Sequence, residues 1–386
     1  MRLLIVSSTY MIAYNQRKWV QMLVMDPGLQ IRLVTPQCMV TSFGPRRRER
    51  HTAFDTGVVP DLRSFFNRSH MSYLVNPFAL ARLMRKYKPD RIHIEEDPYS
   101  VIGFETVLLA RLYARQARIS FFLWDNLARE PGGIKGMLKR ILNRFGLRRT
   151  DLVICGNRQA RVLPHEKKEF SKRSVVLPQL GLMDAEYAGG RNLQLRDELG
   201  VAPEAVLIGY VGRMVPEKGI MTLLEAFTRL GDHDSKLLLL GSGPMDTQIT
   251  AYCEKHLPGQ VIRIAAVPHE QVPAYMRALD LFVLPSLSTP TWVEQFGIVL
   301  AQAMLTGVPC VGSSSGAIPD VIGPGGAIFA EGDATALAEQ LRLLIYSAGD
   351  RIQLGEKARS YALAHYSQGA VASAYLAAFQ PNHTSL

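Results

Sequence analysis

Residues 282–322 run FVLPSLSTPTWVEQFGIVLAQAMLTGVPCVGSSSGAIPDVI. A short apolar strand at 282–284 leads into a polar loop carrying Glu294. A helix then opens at Gly297 and closes at Gly307-Val308-Pro309, ahead of a second apolar strand. This is a βαβ unit with its polar residues at the carboxyl end of the first strand. In open parallel sheets ligands gather there, because loops and helix N-termini with unsatisfied N–H groups converge at that edge. Glu294 is placed like a site residue.

The same alternation extends in both directions. Apolar runs at 2–8, 29–36, 91–96, 119–125 and 152–157 alternate with helical patterns at 77–88, 101–117 and 134–147. A second series of strands is expected at 206–213, 236–241, 261–267, 281–286, 309–314 and 326–330. Strands separated by helices predict an α/β chain with parallel sheets. At 386 residues the chain exceeds what one core commonly fills, so two domains are expected. The Gly-Gly and Pro of 181–205 suggest the linker, and 41–70, rich in Arg, Ser, Asn and Gly, shows no periodicity and is expected to be a long loop.

Composition narrows the class. Cys38, Cys155, Cys253 and Cys310 lack the spacing of a metal or redox motif and are expected to be reduced thiols of a cytoplasmic protein. No apolar run spans a bilayer, and the N-terminus Met1-Arg2-Leu3-Leu4-Ile5-Val6 suits a buried strand better than a signal peptide. Charge is divided unevenly. Residues 1–185 carry 31 Lys and Arg against 15 Asp and Glu, net +16, which leaves 13 against 19, net −6, of the chain's 44 and 34. The first half is therefore expected to face an anionic partner. Within it, Ile134, Met137, Leu138, Ile141, Leu142 and Phe145 recur at helical spacing among Lys135, Lys139, Arg140, Arg144, Arg148 and Arg149. Periodicity alone allows a core-facing helix with a basic outer side; the charge division favours contact with an anionic membrane surface, on the inner face.

Three motifs carry chemistry. Gly212-Arg213-Met214-Val215-Pro216-Glu217-Lys218-Gly219 lies between a strand and a helix and sets two cations, Arg213 and Lys218, where a diphosphate would also meet a helix N-terminus. Gly241-Ser242-Gly243 ends the next strand, where missing side chains let a nucleotide approach, and Ala266-Val267-Pro268 ends the one after. Glu294 and the helix behind it complete the set. Two acidic groups, Glu95-Glu96-Asp97 and Asp232-His233-Asp234, look like carboxylate clusters for a metal. The second precedes its strand and is expected to be a solvated turn. For the first, acceptor binding and helix capping serve as well as a metal. His93 is expected to be a bonded core histidine.

TPTW-x-EQFG, AMxxGVP and SGAIPDVI, with the GRxxxxKG octet, resemble the retaining GT-B glycosyltransferases, family 4 in particular. The resemblance implies two Rossmann-like domains facing across a cleft. These would be an acceptor domain at 1–185 and a nucleotide-sugar domain at 186–367, with 368–386 as a crossover helix and tail. It implies a nucleotide-diphosphate sugar as donor, a glycan or lipid-linked glycan as acceptor in cell-surface polysaccharide synthesis, and no cofactor or metal, because Arg213 and Lys218 neutralise the diphosphate. Glu294 would contact the donor sugar. The family's second Glu, which holds the ribose hydroxyls, is Gln302 here, and a Gln still offers a carbonyl acceptor. Gly212, Gly241, Gly243, Val267, Phe296, Gly297 and Ile298 would line the donor, although Phe296 serves a core equally well. Where many relatives place an acceptor-side His, this chain has Trp124-Asp125-Asn126, which makes Asp125 the substitute. Two other readings compete. A sugar-nucleotide epimerase of the same fold would need acid and base groups, and a nucleic-acid binder would interleave aromatics with the GPRRRER run at 44–50, which has none.

Overall fold

The computed structural model describes residues 1–41, 44–54, 57–127, 132–166, 170–232 and 234–380. The chain divides into two compact units, Met1–Gly181 together with the segment from Val371 onward, and Leu182–Ala370. Each is built on a six-stranded, all-parallel sheet.

In the first unit the strands are β1 (Arg2–Val6), β2 (Gln30–Val34), β3 (Arg91–Ile94), β4 (Arg118–Leu123), β5 (Thr150–Cys155) and β6 (Arg173–Val176). Their spatial order is β6-β5-β4-β3-β1-β2. All of β3 and most of β1, β4 and β5 are buried, the signature of strands covered by helices on both faces. Two of these helices matter below: α1 (Val101–Tyr113) and α2 (Gly133–Arg148). In the helix Gln368–Phe379, residues Val371, Ala372, Tyr375, Ala378 and Phe379 pack into this unit's core. Arg91 fastens its end by donating to the Phe379 carbonyl at 3.0 Å.

The second unit holds β7 (Leu207–Val211), β8 (Lys236–Leu240), β9 (Val261–Ile264), β10 (Leu281–Leu284), β11 (Cys310–Ser313) and β12 (Gly326–Phe329). Their order is β9-β8-β7-β10-β11-β12. The strand order therefore reverses between β7 and β10, which pair at Ile208 with Leu281 and Gly209 with Phe282. Helix α3 (Ile298–Leu305) follows β10.

Two expectations need correction. Residues 41–70 are not a plain loop: Cys38–Thr41 pairs antiparallel with Gly44–Arg47, and Ser64–Phe65 with Leu74–Val75. These ladders are too short and polar to leave an alternation in the sequence. The boundary between the units does fall in 181–205, between Gly181 and Leu182, but the rest of the stretch is no free linker, since Leu182, Tyr187, Val201 and Ala205 are buried in the second core. Gly189, Gly190 and Gly200 mark bends and a turn within the second unit.

The acidic run after β3 also proves to be interior. Glu95 accepts from Tyr10 Oη (2.6 Å), Lys18 Nζ (2.9 Å), Gln179 Nε2 (2.9 Å) and His93 Nε2 (3.1 Å). Lys18, flanked by the Tyr375 and Trp19 rings at 3.8 and 4.3 Å, also donates to the Gln179 carbonyl. Burial pushes Glu95 upward, but Lys18 and His93 outweigh it and hold the carboxyl at about 2. Burial draws Lys18 down to about 8 against the pull of Glu95. Both are charged at neutral pH. His93 is a bonded core histidine, its Nδ1 3.0 Å from Ser120 Oγ.

Two other carboxyls behave oppositely. Burial raises Glu96 to about 7 despite bonds from the Ser8 backbone and Tyr73. It raises Glu105 to the same region, where one oxygen accepts from Val75 N–H and the other is buried without a partner. Because these folded-state values exceed the usual carboxyl value, the folded protein holds the protons more tightly, and stability is lost as pH rises from about 4.5 through about 7. The melting temperature is expected to fall across that interval. Glu105→Gln, which keeps an acceptor for Val75, should flatten the fall and melt above the wild type at pH 8; an unchanged slope would contradict this.

Candidate donor site in the second unit

At the strand-order reversal, the loop after β7 meets the loop after β10. The first carries Gly212, Arg213 and Lys218; the second carries Glu294. Leu287 N–H donates to the Glu217 carbonyl at 2.8 Å and ties the two loops together. Lys218 Nζ then reaches Glu294 Oε2 at 2.5 Å, and Ser286 Oγ donates to the same oxygen at 2.9 Å. Two motifs 76 residues apart thus converge on one carboxylate. Glu294 is nearly buried and Lys218 little more exposed, so the attraction is weakly screened. Lys218 also lies 4.7 Å from the centre of the Trp292 ring.

Arg213 differs. Its side chain is 63% exposed and stands 3.8 Å from Glu217, an ion pair of little strength. Its backbone is better fixed: Tyr210 Oη donates to the Arg213 carbonyl at 2.8 Å. The guanidinium is therefore accessible at a well-anchored position.

Helix α3 begins at Gly297, whose φ of 72° is a conformation that glycine adopts without strain. No side chain caps this end and no acidic residue occupies its first turn. Its N–H groups and positive dipole end suit an anion. Ile298 is partly exposed there. Gln302, one turn further in, is buried and donates through Nε2 to Tyr187 Oη at 2.8 Å. Phe296 packs edge-on against Tyr366, 5.4 Å between ring centres, and so has a core role. The Glu294 backbone is held from the other side by Ala317 N–H at 3.0 Å.

The glycines after β8 serve packing first. A β-carbon on Gly241 would fall 1.9 Å from the Gly212 carbonyl oxygen, and one on Gly243 would fall 2.3 Å from that of Met214. These residues let two loops lie against each other, rather than simply opening room for a ligand. Val267, three residues past the end of β9, is half-buried against the core, and the neighbouring Ala266 N–H donates to Ser242 Oγ at 3.2 Å.

Asp125 follows β4 in the first unit and lines a cavity of about 70 Å³ with Asp97, Tyr99, Lys139 and Asn143. Lys139 Nζ is 3.9 Å from Asp125 and 4.2 Å from the Tyr99 ring centre. Lys139 thus turns inward, contrary to its expected place on the basic outer side of α2. Burial, with the Asp125 charge beside it, pushes Asp97 up. Of the remaining acidic group, Asp232 forms a turn with Ser235 and the Asp234 N–H, and His233 lies outside the described residues. Among the described residues no three His, Cys, Asp or Glu side chains are grouped to hold a metal ion, and no helix is long and apolar enough to cross a membrane.

Sequence reasoning missed Ser286, Trp292 and Tyr187. Ser286 and Trp292 lie within the opening stretch and had a signal, namely polar or aromatic residues past a strand end. Tyr187 had none, being 115 residues from Gln302.

Two parallel-sheet Rossmann-like units define the GT-B fold, and solved GT-B structures superpose over nearly the whole chain. HepE of Anabaena in complex with UDP matches with a TM-score of 0.72 at 16% identity, covering 97% of this chain and 98% of that one. Sucrose-phosphate synthase from Thermosynechococcus elongatus matches at 0.69 and 18%, covering 97% of each. The family model for glycosyl transferases group 1 matches residues 192–361, within the second unit. N-acetyl-alpha-D-glucosaminyl L-malate synthase of Bacillus anthracis is 28% identical over 240 residues, 61% of this chain and 60% of that protein. The 2-deoxystreptamine glucosyltransferase of Streptomyces kanamyceticus is 30% identical over 196 residues, 49% of each. These alignments span about half to three fifths of the curated relatives' length.

Proposed function

We propose that the chain is a retaining, metal-independent glycosyltransferase of family 4 that moves a sugar from a nucleotide-diphosphate donor to a hydroxyl of a glycan or lipid-linked glycan. The observation that carries this reading is the Lys218–Glu294 contact at the strand-order reversal, which joins the two motifs at one point. The group 1 family match over the same residues and the glycosyl-transferring relatives support it. HepE is described with UDP and with UDP-glucose, which makes uridine nucleotides the first donors to test.

In this reading Arg213 and Lys218 take the diphosphate oxygens, together with the N–H groups at Gly297 and Ile298 that open α3. Glu294 accepts from a hydroxyl of the sugar while Lys218 bridges it to the phosphate. Gln302, with one N–H committed to Tyr187, offers its carbonyl to the ribose. Gly212, Gly241, Gly243 and Val267 supply backbone along the nucleotide, and Asp125 takes the acceptor. The sugar C1–O bond to the leaving diphosphate breaks as the acceptor oxygen bonds C1 on the same face. The acceptor proton passes to the departing phosphate oxygen. Positioning and electrostatic stabilisation of the leaving group supply most of the rate. Surface polysaccharide synthesis in the cytoplasm fits such a reaction.

Arg213 is the clean probe, because its exposure means that Arg213→Ala should leave the melting temperature unchanged. Losing one charge-assisted phosphate contact costs about 2–3 kcal/mol, so calorimetric titration should show donor binding weakened by roughly 30- to 150-fold. Wild-type affinity in that variant would contradict the assignment.

A further inference from the structure

Helix α2 presents its large apolar side chains outward. Ile134 is 81% exposed, and Met137, Leu138 and Ile141 are each more than half exposed. Gly136, Gly146 and Leu147 form its buried face instead, with Gly146 set close against Pro98. At 100° per residue the four exposed aliphatics make one stripe. Arg140 and Arg144 flank one edge and Lys135 and Arg149 the other, all of them exposed. A core-facing helix would place its large side chains the other way round.

A second feature meets this stripe at its carboxyl end. Arg111, Arg115, Arg118, Arg148, Arg149 and Lys172 line a recess of about 310 Å³ at the amino-terminal edge of β4 and β5. Among the described residues that line it Asp151 is the one acidic group, and one of its oxygens already accepts from Ile119 N–H. The carboxyl ends of α1 and α2 each contribute about half a negative charge. With Asp151 they offset about two of the six cations. Arg111 is fixed in place over the Phe145 ring at 4.0 Å, with Nε buried and without a hydrogen-bond partner.

We propose that the first unit docks on an anionic lipid bilayer through this surface, the α2 aliphatics entering the acyl boundary and the basic recess taking headgroup phosphates. An aliphatic stripe edged on both sides by cations is the pattern of a helix lying in a membrane interface. The phosphate charge complements the uncompensated recess. Nucleic acid is the poorer fit, since the exposed stripe offers no aromatic ring for a base to stack on. The inference is independent of the transfer reaction.

Co-sedimentation of the full-length protein with vesicles tests it, comparing phosphatidylcholine alone with phosphatidylcholine containing phosphatidylglycerol over a salt series. Binding is expected to require phosphatidylglycerol and to fade with salt. Each basic group near an anionic surface contributes about fivefold, so Arg115→Ala with Arg148→Ala and Arg149→Ala should weaken binding roughly a hundredfold. Ile134→Gln with Leu138→Gln and Ile141→Gln should lose binding at least about tenfold by removing three inserted aliphatics. All six side chains are exposed, so both variants should melt as the wild type does. Absence of wild-type binding, equal binding to neutral vesicles, or wild-type binding by either variant would overturn the proposal.

Discussion

Glu294→Gln is expected to lower glycosyl transfer by about a hundred- to a thousandfold, the scale on which removal of a preorganised electrostatic partner acts. The substitution keeps the shape of the side chain and an acceptor for Ser286 Oγ. It removes the charge that holds Lys218 at 2.5 Å. Lys218 is left with the Trp292 ring and solvent, and would no longer stand where the proposed reading needs it, between sugar and diphosphate. The fold should tolerate the change with a small drop in melting temperature, because an accessible edge lets Lys218 turn outward. Lys218→Ala is a poorer probe. It would strand a nearly buried carboxylate, and a fall in activity would be mixed with a fall in stability. If Glu294→Gln transfers sugar at the wild-type rate, Glu294 is a structural anchor of its loop and no more.

The largest effect on stability is expected from Lys18→Met in the first unit. Glu95 would keep its bonds from Tyr10, Gln179 and His93 but lose its counter-charge in a fully buried setting. Breaking a buried pair by removing one partner costs about 3–5 kcal/mol. In a unit of this size that corresponds to a melting temperature lower by about 10 °C. Pairing the change with Glu95→Gln should restore part of the loss, because the uncompensated charge is then gone. A single variant that melts within a degree of the wild type would show that Lys18 contributes little there.

The parts of the fold legible in sequence were those in which local pattern and tertiary role coincide. Phe282, Val283 and Leu284 are apolar because β10 is covered on both faces, and Gly297 marks the start of α3 because the chain turns there with positive φ. The strand β6 escaped notice because it is an edge strand, half-buried along its length. Glu95-Glu96-Asp97 looked like a carboxylate cluster for a metal because the cation that neutralises Glu95 sits 77 residues earlier. The direction of α2 was open for a related reason. Its apolar residues have helical spacing whichever way they point, and the deciding signal is the small size of Gly136 and Gly146 on the opposite side. In the candidate site, Arg213, Lys218 and Glu294 stood out individually by residue type and place. The contact of Lys218 with Glu294 depends on the strand order β7-β10, which spacing along the chain does not encode.

The claim that the second unit's strand-order reversal holds a nucleotide-diphosphate sugar is tested most directly by thermal melting against UDP-, GDP-, ADP- and TDP-sugars. A ligand bound by the native state alone, present at about a hundred times its Kd, stabilises by about 2.7 kcal/mol. At least one of these donors should therefore raise the wild-type melting temperature by several degrees while shifting Arg213→Ala by no more than about a third as much at the same concentration. A panel in which no donor shifts the wild type, or in which both proteins shift alike, would contradict the account.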